Sequence, residues 1–402
     1  EAAGRPVAPP NQAYRMKEEL QAVHALIKDS RQHSARKEMR EALEKIGDAC
    51  RRADGLDDDD VAVLDIRTAA WAEQALLLQR LGGGVEARRA YAAAEHAARQ
   101  LPTDSGRPHH RLQLATVLIN LCGLLAKQRL FGEAREKVDE ALGLIREISG
   151  VDAESGDPLR LLLLGALQNA ATIEMEDGAI NEAEALLAEA VDVGAALMTA
   201  GVPQILPQVV DVTGRLSAVQ RRQGHWSESI ATAERAARWS EAAYEAGSPV
   251  GVGLYVNTQL ALVDANFGAS QLAQAEDHLW KAIDTSDAPD TMLVGAGFYL
   301  ALLRKADEAL DAGGLPRGEV VDALEEILGR LEGSGAPERV LRVLRARDAV
   351  LVDGHSDHGE RLLGSPPDAS GSEAHVVRQL LTQLRSDVDW RKAQGAEGLE
   401  TD

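Results

Sequence analysis

Five positions recur along this chain at nearly constant distance, and they constrain its fold more than any other feature. Ala87, Ala134, Ala183, Ser229 and Ala275 are spaced by 47, 49, 46 and 46 residues. Seven residues after each anchor stands an alanine: Ala94, Ala141, Ala190, Ala236 and Ala282. Four after come Tyr91, Val138, Leu187, Ala233 and Leu279, and three before come Gly84, Phe131, Ile180, Trp226 and Leu272. The residue just before each anchor is Glu86, Glu133, Glu182, Glu228 or Gln274. The anchor, +4 and +7 positions share one helical face. Small residues at the anchor and +7 let a neighbouring helix approach, and a larger one at +4 fills the hollow between them. The −3 residue covers the helix entrance as a hydrophobic staple does. Self-similarity at such a period is the signature of a repeat array.

Upstream of each anchor lies another apolar-periodic stretch, as at 110–128, 159–176, 208–223 and 251–267. Each unit therefore reads as a helix, a short turn and a second helix. Gly178 and Gly224, five residues before their anchors, suit that turn. Pro102, Pro158, Pro203, Pro249 and Pro289 punctuate the joins between units. Composition points the same way. Hydrophobic residues make up 45% of the chain but aromatics only 3%. The core is therefore built from Ala, Leu and Val, and Ala and Leu favour helix over strand.

The stretch Gly178-Ala179-Ile180-Asn181-Glu182-Ala183, followed by Leu187 and Ala190, resembles the second helix of the tetratricopeptide repeat. Gly224-His225-Trp226-Ser227-Glu228-Ser229, with Ala233 and Ala236, is a second copy. The resemblance covers residues 60–285. The period exceeds the usual repeat of about 34 residues, so the helices are longer by one or two turns. This is similar to the long-helix repeats of bacterial regulatory proteins and kinesin light chains. The resemblance implies an all-α fold, a right-handed superhelical solenoid of antiparallel helical hairpins. Its concave face, lined by the first helices, would hold a partner protein or peptide.

The domain reading extends outward from those units. Residues 1–12 are Pro-rich and read as a linker or a trimmed N-terminus, with an upstream effector domain as one possibility. Residues 13–333 read as repeats. The first pair falls at 13–29 and 33–53, with Ala35, Met39 and Ala42 taken in anchor spacing; a late pair falls at 291–311 and 317–332. Residues 334–363 read as a helix and a polar loop, 364–372 as a linker, 373–393 as a capping helix, and 394–402 as a disordered tail.

Counting back from the anchors selects groove residues. Fourteen before stand Asn120, Asn169 and Arg215; seven or eight before stand Lys127, Glu176, Arg221 and Arg222. Arg80 and Gln79 hold that place in the first clear unit, if Gly82-Gly83-Gly84 inserts no extra residue. An inward Asn can donate to and accept from an extended peptide backbone, as the resemblance implies, or it can bond a neighbouring helix. The basic residues can attract an acidic segment, or they can complement the C-terminal dipole of their helices.

The net charge is −21, which disfavours phosphate backbones and anionic lipid, so neither nucleic acid nor membrane is expected as a partner. No apolar run approaches the roughly 18 residues of a span. Cys50 and Cys122 form no CxxC pair, and a reducing cytoplasm is the default location. No phosphate-binding glycine loop is present, and no cofactor is expected. The chain reads as a non-enzymatic scaffold or adaptor. The alternative is a regulatory or ligand-sensing module of a larger signalling protein. A third reading, ranked below both, is a metal-dependent hydrolase using His355, Asp357, His358 and Glu360 within the 354–360 cluster. That reading lacks a second ligand cluster.

Overall fold

The structure, a computed structural model, describes residues 10–56, 60–102, 108–151, 156–286, 288–308, 317–352, 355–364, 367 and 374–397. The Pro-rich stretch before Pro10, most of the expected 364–372 linker and the last five residues of the tail lie outside these. The described residues form α-helices and one short 3₁₀ turn, with no strand among them. The chain divides into two compact units, residues 1–212 and 213–402.

The N-terminal unit holds α1 (Pro10–Ala35), α2 (Met39–Asp54), α3 (Val61–Arg80), α4 (Gly84–Gln100), α5 (Pro108–Lys127), α6 (Phe131–Val151), α7 (Gly156–Asp177) and α8 (Ile180–Thr199). They pack as four successive hairpins, and the first helices α1, α3, α5 and α7 also touch in sequence. The unit boundary falls within α9 (Leu206–Arg222). The C-terminal unit continues with α10 (Trp226–Glu245), α11 (Gly251–Gly268), α12 (Leu272–Thr285), α13 (Pro289–Glu308), α14 (Arg317–Gly333), α15 (Glu338–Leu351), α16 (Ser356–Gly364) and α17 (Ala374–Glu397).

The repeat register is the packing register. Every anchor, +4 and +7 residue is at most 1% exposed. Every −3 residue is the first residue of its helix, at the start of α4, α6, α8, α10 and α12. Twelve residues before each anchor, the first helix buries Ala75, Cys122, Ala171, Ser217 or Val263.

One turn geometry joins the two helices within these hairpins. The −5 residues Gly82, Arg129, Gly178, Gly224 and Ser270 all have left-handed backbone, with φ of 82°, 60°, 79°, 79° and 60°. The next N–H then donates five residues back: Gly83 to Leu78 (2.9 Å), Leu130 to Leu125 (2.9 Å), Ala179 to Glu174 (2.8 Å), His225 to Gln220 (2.9 Å) and Gln271 to Asn266 (2.9 Å). These bonds satisfy carbonyls that the first helix would otherwise leave unpaired. Gly82 occupies the same place as the others, so Gly82-Gly83-Gly84 inserts nothing.

The same turn corrects the N-terminal register. Lys37 has φ 63°, Glu38 N–H donates to the His33 carbonyl at 2.9 Å, and α2 begins at Met39. The sixth anchor is therefore Ala42, with Ile46 and Ala49 at +4 and +7, all fully buried. Ala35 instead ends α1. The hairpin opens at Pro10, three residues before the expected start at 13.

At the C-terminal end, α13 packs on α14, while α15, α16 and α17 pack on one another. The segment expected as a polar loop is largely α16. Its Gly359 is buried, and a Cβ there would lie 2.5 Å from Val388 Cγ2 and 2.9 Å from Val350 Cγ2. Only a residue without a side chain lets α16 sit this close. Helix α17 begins at Ala374 and runs to Glu397, past the expected end at 393.

Candidate functional site

Three first helices of the N-terminal unit enclose a cleft of about 450 Å³. Helix α3 supplies Leu76 and Gln79, and α7 supplies Asn169 and Thr172. The middle helix, α5, contributes Ile119, Asn120, Gly123, Ala126 and Lys127. The repeat explains why these residues meet. They sit at offsets −15, −14, −11, −8 and −7 from their anchors, which lie on one stripe of the first helix. The −12 position, about 100° round the helix from the middle of that stripe, is buried.

Asn120, Lys127 and Asn169 therefore line one cleft. Asn169 Nδ2 donates to the Ile119 carbonyl at 3.1 Å, a bond from α7 to α5. Asn169 is thus partly engaged between helices, and its amide oxygen keeps acceptor capacity. Asn120 is half-buried, and its amide has no partner among the described residues. Lys127 is exposed at the end of α5 and likewise has no acidic partner among them. The cleft is lined by three side-chain amides, one hydroxyl, one cation and three apolar side chains, with no carboxylate.

The acidic side chains at the end of α7 are occupied elsewhere. Glu176 pairs with Arg129 at 3.3 Å, while Glu174 and Asp177 both pair with Arg135, at 2.9 and 2.7 Å. Glu176 therefore acts as a bridge between repeats and is absent from the cleft lining. Arg80, one residue past Gln79, donates to Ser34 Oγ at 3.2 Å.

Arg215, Arg221 and Arg222 belong to the C-terminal unit. Arg221 Nη1 lies 2.5 Å from Asp264 Oδ2, which ties α9 to α11. Arg215 is half-buried, and Arg222 is exposed with no ion-pair partner among the described residues. The three arginines thus differ in what each can offer a ligand.

Gly123 and Thr172 were not singled out from the sequence. Both lie at −11, which with −14 and −7 completes an i, i+3, i+7 stripe, so the periodicity contained the signal.

The His/Asp/Glu segment is not assembled as a metal centre. No group of three or more His, Cys, Asp and Glu side chains is placed to hold a metal among the described residues. His355, Asp357 and His358 are exposed, and Glu360 pairs with Lys392 of α17. Ser356 starts α16, and no strand among the described residues could support it as the nucleophile of a strand-turn-helix elbow. Cys50 and Cys122 are both buried, and burial pushes their thiols up to about 12, far from a reactive range. No described helix is long and apolar enough to cross a membrane.

Fold and cleft together define an all-α protein of tetratricopeptide-like hairpins with a polar, carboxylate-free cleft on its first helices. A family of unknown function, DUF6483, matches residues 234–332. No curated protein sequence matches the chain. Among solved structures, a tetratricopeptide repeat protein from Parabacteroides merdae is similar at 13% identity and TM-score 0.42, over 82% of this chain and 99% of that one. The tetratricopeptide-like repeats of a kinesin light chain of Podospora anserina are similar at 18% identity and TM-score 0.37, over 55% and 94%. A STAND signal-transduction ATPase from Pyrococcus horikoshii, with a tetratricopeptide repeat sensor, is similar at 12% identity and TM-score 0.47, over 92% and 55%.

Proposed function

We propose that this chain is a scaffold or adaptor that binds an extended, acidic segment of a partner protein in the α3–α5–α7 cleft. Asn120 and Asn169 would hold the segment's backbone, and Lys127 would take a carboxylate. One observation carries this reading. Asn120 and Lys127 line the cleft with no partner among the described residues, while the carboxylates at the end of α7 are committed to ion pairs. A free amide and a free cation in a lining without carboxylates suit a ligand with backbone amides and negative charge. The exposed Arg222, with Arg215 and Arg221, offers a second basic edge in the C-terminal unit. Charge reversal at Arg221 is a poor probe of it, because a glutamate there would face Asp264.

The test is binding of acidic, neutral and basic peptide pools to the full chain, with Asn120→Ala, Lys127→Ala and Arg222→Glu variants beside it. Acidic pools are expected to bind best, to weaken with salt, and to lose affinity in the Asn120 and Lys127 variants. Affinity unchanged by both substitutions would remove the cleft as the site. The same loss in Arg222→Glu would add the basic edge.

A further inference from the structure

We propose that Gly123 sets the specificity of this cleft, leaving a notch for one aliphatic side chain of the bound segment, two residues from the acidic residue that meets Lys127. This rests on the peptide-binding reading above and adds the identity of the peptide to it.

Gly123 lies inside α5, where glycine costs about 0.5–1 kcal/mol relative to alanine. The fold does not require that cost. The backbone of Gly123 is ordinary helix, not left-handed. A Cβ at this position would meet only the Asn169 amide, at 3.6 Å from Nδ2 and 3.9 Å from Oδ1, which is ordinary contact. Helical glycines differ in this respect: Gly47, Gly165 and Gly297 are also uncrowded, while others are required by packing. Gly359 admits α17, and Gly295 lets Ile327 approach to 2.9 Å of where its Cβ would stand. A Cβ on Gly143 would meet nothing, and that residue is exposed to solvent. Gly123 alone among these lines the cleft, beside the apolar Leu76, Ile119 and Ala126. The space beside Gly123 therefore belongs to the cleft and is bounded on one side by the Asn169 amide.

Helix geometry fixes the spacing. Lys127 follows Gly123 by four residues, a rise of about 6 Å along α5. An extended chain advances roughly 6–7 Å over two residues, and its side chains at i and i+2 point the same way. A side chain seated over Gly123 therefore brings the residue two positions away to Lys127. Asn120, about 5 Å in the other direction, falls beside the peptide backbone. The segment recognised is aliphatic, any residue, then Asp or Glu, in either chain direction.

The experiment uses a positional-scanning hexapeptide library, acetylated and amidated so that no terminal carboxylate is present. It is bound to the full chain and to Gly123→Ala, Gly123→Leu and Leu76→Ala variants. The wild type is expected to select an aliphatic and an acidic position separated by one residue. Gly123→Ala should weaken those peptides about tenfold, the order set by one methylene in an apolar pocket, while its thermal midpoint stays level or rises. Gly123→Leu should abolish their binding. Leu76→Ala, which widens the notch, should shift selection to larger side chains, and it serves if the Leu variant does not fold. Selected peptides that bind the wild type and Gly123→Ala equally, or show no fixed spacing, overturn the proposal while leaving peptide binding intact. No peptide bound by any variant overturns both.

Discussion

Ser217 and Ser229 hold each other across α9 and α10. Their hydroxyls lie 2.9 Å apart, and each also reaches the other's backbone carbonyl, at 3.0 and 2.9 Å. Ser229 occupies the anchor place filled by alanine in the other repeats, and Ser217 occupies the −12 place facing it. Both are buried, so each hydroxyl depends on the other helix for its hydrogen bonds. The first hairpin shows half of this arrangement, with Ser30 Oγ donating to the carbonyl of anchor Ala42 at 2.9 Å.

Reciprocity makes the serine pair non-additive. Ser229→Ala removes one hydroxyl and its bonds, at a cost of about 1 kcal/mol, and Ser217→Ala should cost about the same. The double variant should cost less than the sum, because no buried hydroxyl is left short of partners. A urea-unfolding double-mutant cycle measures the coupling. Costs that add within roughly 0.3 kcal/mol would show the two serines to be independent.

The hairpin turns give a prediction of opposite sign at equivalent positions. Ser270 has φ 60°, a conformation that costs a residue with a Cβ roughly 1–2 kcal/mol. Ser270→Gly relieves this strain and should raise stability by about 1 kcal/mol, less the added freedom of the unfolded chain. Gly224→Ala, at φ 79°, should lower stability by a similar amount. Chemical-denaturation midpoints of the two variants should move in opposite directions. Movement in the same direction would mean that these turns are not held in the left-handed conformation.

The turns also show where the sequence stops being legible. Core positions repeat because each hairpin solves the same packing problem, so the anchors, their +4 and +7 partners and the helix starts could all be read. The left-handed turn residues could be read only where glycine marks them. Lys37, Arg129 and Ser270 look like ordinary surface residues, since the hydrogen-bonded turn, not the side chain, holds their conformation. Ala35, Ala42 and Ala49 fit two registers seven residues apart, and only the turn at Lys37 decides between them. Helix α16 was hidden because its polar face is conspicuous while Gly359 gives no apolar signal. In the cleft, Asn120, Lys127 and Asn169 were visible as chemistry on one face. Gly123 was not, because its contribution is an absence of atoms. The pairing of Glu176 with Arg129 and of Arg221 with Asp264 joins neighbouring repeats, and no side-chain size pattern announces it.

His278 should make the C-terminal unit sensitive to mild acid. Its Nδ1 lies 2.7 Å from Gln259 Oε1, between α12 and α11. Burial pushes its pKa below the usual histidine value, Lys281 adds to that, and Asp277 and Glu234 oppose it. The unfolded chain therefore binds this proton more readily than the folded one. The stabilisation is complete above the unfolded value of about 6.5 and is lost as pH falls through the lower folded value. Between about pH 7.5 and 5.5 the urea midpoint should fall more steeply for the wild type than for His278→Asn. Trp280, close by on α12, is a suitable fluorescent reporter. Equal slopes for the two proteins would mean that His278 takes up its proton without cost.

Arg347 and Asp387 should decide whether α17 stays docked. Arg347 Nε donates to Asp387 Oδ2 at 2.6 Å, and Nη1 donates to Gln383 Oε1 at 2.5 Å. The two charged side chains are only 7% and 2% exposed. Removing one partner strands the other charge in an apolar setting, with Val377, Leu384 and Val388 of α17 in the surrounding core. Asp387→Ala should therefore cost about 3–5 kcal/mol. Replacing both, as Arg347→Met with Asp387→Leu, removes the desolvation of two ions and should be close to neutral or stabilising. Hydrogen exchange along Ala374–Glu397 separates these cases. Asp387→Ala should speed exchange throughout α17, and the double variant should restore protection. If the double variant exchanges as fast as the single one, α17 depends on the ion pair itself and not merely on avoiding a buried, unpaired charge.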